Sequence, residues 1–155
     1  MENKVLFCHG LESGPHGSKY RALVAAGYEV LAPDCRGMGL EERVALVAPI
    51  LLAEKPLVVG SSFGGIVAIL AALRTGVILP GLVLCAPALG RAEVPIKTLV
   101  VPFPVTLIHG LHDTVIPLEL SQEFAFYQGC EVRVVQDDHF LAKCDETIVG
   151  ALRAF

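Results

Sequence analysis

The sequence predicts an α/β fold: a three-layer α/β/α sandwich around a mostly parallel sheet of about six strands. Three observations lead there. Six short runs rich in Val, Ile and Leu (5–8, 28–32, 57–59, 82–85, 105–109 and 132–135) are continuously apolar, not alternating, as in strands covered on both faces. Helix-compatible segments separate most of them, which implies right-handed crossovers between parallel strands. The chain is also 54% hydrophobic and only 18% charged, so it carries enough apolar surface to cover such a sheet.

Taken in order, strand 5–8 begins directly after Met1-Glu2-Asn3-Lys4, a start without the features of a secretory signal. Helix 19–26 is closed by Gly27 and leads into strand 28–32. Helix 41–54 contains Pro49, where a bend or break is expected because proline removes a hydrogen bond and crowds the preceding turn. Strand 57–59 turns into helix 62–74, which is apolar almost all round and should be the most buried. After strand 82–85, residues 87–104 hold four of the ten prolines and are expected to form no more than a turn of helix. Strand 105–109 precedes a helix opened by Pro117 and ended near residue 128, before Gly129. Strand 132–135 is followed by a last helix, from about residue 140 to the end, with Leu141, Cys144, Ile148, Leu152 and Phe155 on one stripe. No repeat or linker divides the chain, so residues 1–155 read as one domain.

A net charge of −4 without a Lys/Arg cluster argues against nucleic acid or an anionic membrane as partner. The uncharged stretch 57–73 falls short of the roughly 20 apolar residues of a spanning helix and is interrupted by Gly-Ser-Ser and Gly-Gly. Five cysteines, odd in number and without a Cys-x-x-Cys pair, read as buried thiols of a reduced, cytoplasmic protein. The histidines lack a third metal-like spacing, so neither a metal nor a cofactor is expected.

The chemistry gathers after the strands. Gly60-Ser61-Ser62-Phe63-Gly64 joins a strand to a helix, and a side chain at Gly60 or Gly64 would crowd that sharp turn. The turn exposes the Ser62 hydroxyl and aims a helix N-terminus at any anion formed there. A serine needs a base, and the base needs a carboxylate. His109-Gly110-Leu111-His112-Asp113 follows the fifth strand and Gln136-Asp137-Asp138-His139 the sixth, giving Ser62, Asp113 and His139 in chain order. Asp137 and Asp138 are rival carboxylates, disfavoured because neighbours in sequence seldom point back at a ring. His112 is a rival base. Backbone N–H groups of Phe63 and Leu11 are the candidate oxyanion donors, with Glu12 as the fallback for Leu11. His9 is expected to brace its loop. Leu89, Ile116 and Phe140, with Leu11, are candidates for a substrate pocket.

Together these motifs resemble the α/β-hydrolase superfamily over nearly the whole chain. His9-Gly10 resembles its oxyanion loop and Asp34-Cys35-Arg36-Gly37-Met38-Gly39 its Asp-x-Arg-Gly-x-Gly loop. Residues 60–64 resemble its nucleophile elbow, His109-Gly110…Asp113…Pro117 its acid loop, and Asp138-His139-Phe140 its histidine loop. The phrase His9-Gly10-Leu11-Glu12-Ser13-Gly14-Pro15…Lys19 is similar to small bacterial YqiA-like esterases. The resemblance implies a minimal α/β-hydrolase fold whose first strand corresponds to the family's third. It implies a short segment, 86–104, where relatives insert a lid domain, and hence an open site. The expected activity is hydrolysis of small soluble carboxylic esters through an acyl-enzyme. Thioester, amide or lactone cleavage and acyl transfer use the same machinery. A non-catalytic protein that kept the fold is the reading from another class. Oligomeric state is not legible in the sequence.

Overall fold

A computed structural model describes residues 3–155. Among them, six strands form one sheet in the order β2-β1-β3-β4-β5-β6, with every neighbouring pair parallel. The strands are β1 (Lys4–Cys8), β2 (Glu29–Leu31), β3 (Leu57–Ser61), β4 (Leu82–Cys85), β5 (Val105–Gly110) and β6 (Val132–Val135). The helices are α1 (Ser18–Ala25), α2 (Leu40–Glu54), α3 (Phe63–Thr75), α4 (Leu118–Gln128) and α5 (Asp145–Arg153).

Side chains alternate across the strands, so each strand feeds two cores. Leu6, Cys8, Val58, Leu84 and Leu107 join Val44, Val47 and Leu51 of α2, the apolar surface of α3, and Phe124 of α4. Val5, Phe7, Val59, Val83 and Ile108 join Leu23 of α1 and Ile148, Ala151 and Leu152 of α5. The three layers are therefore α2/α3/α4, sheet, and α1/α5. Each fully buried Leu or Ile contributes about 1.5–3 kcal/mol relative to exposure, so these two continuous cores dominate the stability. No described helix is long and apolar enough to cross a membrane.

Three expectations are corrected. Pro49 neither breaks nor ends α2, which runs unbroken to Glu54. Ala45, whose carbonyl loses its partner, is exposed to water, while Val44, Val47 and Leu51 hold the other face in the core. The last helix starts at Asp145, not near residue 140; residues before it are spent on turns, with Leu141 at φ 54°. Of its expected stripe, Leu141, Cys144, Ile148 and Leu152 are buried but Phe155 is not. The proline-rich segment between β4 and β5 holds two 3-10 turns, Leu89–Ala92 and Ile96–Leu99, not at most one.

Topology positions the site. From β1 the chain moves outward to β2 and then returns to β3 on the other side, so β1 and β3 flank the point where strand order reverses. Ligands in open α/β sheets bind beyond the carboxyl ends of the strands at such a point. The loop at His9-Gly10-Leu11 and the turn at Ser62 lie there.

Candidate active site

The turn after β3 is held in a conformation that L-residues seldom adopt: Ser62 has φ 54° and ψ −116°. Its backbone is pinned from both sides, with Ser62 N–H donating to the Cys85 carbonyl (2.8 Å) and the Ser62 carbonyl accepting from Gly65 and Ala88 N–H (3.0 Å each). The glycines are required by close approach. A Cβ on Gly60 would stand 2.7 Å from Gly65 Cα, and one on Gly64 would run into the Cys8 and His9 backbone at the end of β1.

The structure brings together the three residues that sequence order singles out. Ser62 Oγ lies 3.0 Å from His139 Nε2, and His139 Nδ1 lies 2.8 Å from Asp113 Oδ2. A proton on Nδ1 donated to the carboxylate leaves Nε2 free to accept from the serine hydroxyl. Asp113 has no exposed side-chain surface and is fully engaged. Its Oδ1 accepts from Val115 and Ile116 N–H at 2.8 Å each, and its Oδ2 also lies 3.2 Å from His109 Nε2. His109 Nε2 faces a second acceptor, the Ile116 carbonyl at 2.9 Å, so that nitrogen carries the proton while Nδ1 accepts from Ser121 Oγ (2.8 Å). The rival carboxylates face elsewhere: Asp137 accepts from Asp138, Lys143 and Cys144, and Asp138 from Phe140 N–H. His112 pairs with Gln136 on the surface.

On the β1 side, His9 and Arg43 brace the loop. His9 Nε2 accepts from Cys35 N–H (2.9 Å), so Nδ1 bears the proton and donates to the Gly10 carbonyl (2.8 Å). Burial pushes the His9 pKa down, in keeping with a neutral ring. Arg43, 1% exposed, donates to the carbonyls of His9 (2.8 Å), Gly10 (3.3 Å) and Met38 (3.3 Å), and its guanidinium lies 5.0 Å from the Phe63 ring centre. The Gly10 carbonyl and the Leu11 N–H belong to one peptide group, so donors on that carbonyl both orient and polarise the N–H. Neither Leu11 nor Phe63 N–H donates to an acceptor among the described residues, which leaves both available to an anion.

A cavity of about 430 Å³ opens over this arrangement. Ser62, Phe63, Leu11, His139, Ile116 and Phe140 all line it. Leu89 does not: it is wholly buried under the segment after β4, packed in the core beside α3, and this corrects its expected place in the pocket. Arg43 and Arg91 escaped the sequence reading, and Lys19 entered it only as the end of a resembling phrase, because a lone basic residue carries no motif until the fold places it. No group of three or more His, Cys, Asp or Glu residues able to hold a metal occurs among the described residues.

Comparison with known proteins gives the lineage. A model described as the alpha/beta hydrolase family matches residues 5–153. The chain belongs to that family. Among solved structures it is similar to a protein of the alpha/beta hydrolase superfamily from Xanthomonas campestris pv. campestris, at 21% identity and a TM-score of 0.80, covering 99% of this chain and 97% of that one. It is similar to Est1E from Butyrivibrio proteoclasticus (18%, TM-score 0.82, covering 99% and 86%) and to a monoacylglycerol lipase from Paleococcus ferrophilus (20%, 0.76, 97% and 94%). At these identities the likeness is one of fold. Among curated proteins, none matches the chain.

Proposed function

We propose that this member of the alpha/beta hydrolase family is a serine esterase that cleaves small soluble carboxylic esters through an acyl-enzyme. The observation that carries the reading is the unbroken line of hydrogen bonds from Ser62 Oγ through His139 to Asp113, at 3.0 and 2.8 Å. His139 Nε2 takes the Ser62 proton as Oγ attacks the ester carbonyl carbon, and the C=O pair moves onto oxygen. Leu11 and Phe63 N–H receive that oxyanion. The C–O bond to the alcohol then breaks, and the alcohol leaves with the proton from His139. Water attacks the acyl-serine with His139 again as base, releasing the carboxylic acid and restoring Ser62. Asp113 stays ionised and holds the imidazole in the one useful tautomer.

Small soluble substrates are favoured by the shape of the site. Only two 3-10 turns separate β4 from β5, and Leu11 and Phe140 stand at the cavity with 38% and 70% of their surface exposed. Nothing in this arrangement favours a long acyl chain. The expected substrate is a small ester in the cytoplasm, where the five free cysteines would stay reduced.

Labelling with a fluorophosphonate probe tests the reading. One adduct per chain, on Ser62 and absent from Ser62→Ala, is expected; no adduct, or one that survives the substitution, would overturn it.

A further inference from the structure

The wall of the same cavity carries a cation with no polar partner. Arg91 lies in the first 3-10 turn after β4 and lines the cavity with Ser62, Phe63 and His139. Its guanidinium rests over the Phe63 ring, 5.1 Å from the centre, and makes no hydrogen bond or salt bridge among the described residues. Arg36 is matched with Asp34, Arg74 with Glu41 and Arg133 with Glu131, whereas Arg153, like Arg91, makes no ion pair among the described residues but does not line the cavity.

The charges around it leave that cation in place. Arg43 stacks on the same ring from within the protein, bonded only to carbonyls, so it brings a positive charge without a carboxylate. Lys19 also lines the cavity, its Nζ donating to the Phe140 carbonyl at 2.7 Å. The single acidic lining residue is Glu12, on the opposite loop after β1. Two arginines and a lysine against Glu12 and the buried Asp113 behind His139 leave this corner with one positive charge in excess, in a chain of net charge −4. A guanidinium over an aromatic ring, without a hydrogen bond to the protein, leaves its donors available in the planar fork that a carboxylate fits.

We infer that the preferred substrates are esters bearing a carboxylate close to the scissile bond, bound through Arg91. This inference rests on the serine-esterase reading and names its substrate class. The negative group belongs either to the acyl part, as in a half-ester of a dicarboxylic acid, or to the leaving alcohol, as in an ester of a hydroxy acid. Both present the same carboxylate to the same guanidinium.

Two matched pairs of esters test it on the intact protein. 4-Nitrophenyl butyrate against the 4-nitrophenyl half-ester of glutaric acid places the charge on the acyl side. Phenyl acetate against 4-acetoxybenzoate places it on the alcohol side. In at least one pair the charged ester should have the higher kcat/KM, by about tenfold through a lower KM. That charged-to-neutral ratio should fall about tenfold in Arg91→Gln and shrink as salt rises. Arg91→Lys should restore part of it, since charge returns without the fork. Hydrolysis of the neutral esters with no preference in either pair, or a preference that Arg91→Gln leaves intact, would overturn the inference alone. If no ester is turned over and the fluorophosphonate does not label Ser62, it is the esterase reading that falls.

Discussion

Replacing Gly64 by alanine adds one methyl group at the most crowded point of the molecule. The new Cβ would stand 2.5 Å from the Cys8 carbonyl carbon and 2.7 Å from the His9 oxygen, and closer still to the Cys8 oxygen. An ordinary contact begins at 3.4 Å, so helix α3 and the end of β1 must separate by about 0.9 Å or more. No flexible side chain can absorb this, because every atom in the way is backbone. β1 is hydrogen-bonded between β2 and β3, and α3 is buried along most of its length. Overpacking of this kind costs about 3 kcal/mol, at the upper end of the usual range, or about 6–12 °C in Tm for a chain of this size. The same displacement moves Leu11 N–H away from Phe63 N–H. A shift of roughly 1 Å in a reacting geometry costs on the order of 10²-fold in rate. Calorimetry of Gly64→Ala, with kcat/KM on 4-nitrophenyl acetate, checks both numbers. A variant melting within 2 °C of the parent and retaining more than half its activity would refute the close-approach account.

Asp113→Asn should lower kcat by about 10³–10⁴-fold, since an amide cannot hold the Nδ1–H tautomer of His139 and cannot accept all four donors now facing the carboxylate. Comparable losses in Asp137→Asn or Asp138→Asn, with Asp113→Asn near wild type, would reassign the acid. The N–H groups of Lys143 and Asp138 hold the Asp137 carboxyl below its ordinary pKa, so its ionised form stabilises the histidine loop above the unfolded value, and that stability is lost as pH falls through the lower folded value. Asp137→Asn should therefore melt below wild type at neutral pH, with the gap narrowing from about pH 4 downward; a gap constant from pH 7 to 3 would count against this. Burial pushes Cys8 and Cys85 up to about 12, and Cys130 and Cys144 to about 11, leaving little thiolate at pH 8. Intact-mass analysis after iodoacetamide should find the native protein unmodified while the denatured chain takes five adducts; rapid native alkylation of Cys8 would show the β1 end to be more open than described.

Much of this protein is legible without coordinates because its signals are local. A continuous apolar run bounded by glycine, proline or aspartate declares a strand covered on both faces. All six expected strands occur, two of them, 82–85 and 132–135, with unchanged bounds. A Gly-x-Ser-x-Gly pattern between such a run and a helix implies a strained turn, and Ser62 has the positive φ this requires. Once the strands are parallel, residues that follow them share one edge, so topology puts Ser62, Asp113 and His139 on the same edge, and the loops after β5 and β6 close the remaining distance.

The rest depends on contacts between residues far apart in the chain. Leu89 and Ile116 look alike as apolar residues in loops, but one is sealed beside α3 and the other lines the cavity. Pro49 carries a strong local signal for a break, yet burial of Val44, Val47 and Leu51 outweighs one hydrogen bond lost on a wet face. Arg43 and Arg91 are unremarked charges in the sequence, 48 positions apart, until α2 and the turn after β4 converge on the Phe63 ring. Periodicity reports which face of an element is apolar. Which charge meets which carbonyl, and which is left without a partner, is set by the packing of whole elements, and no local pattern encodes that.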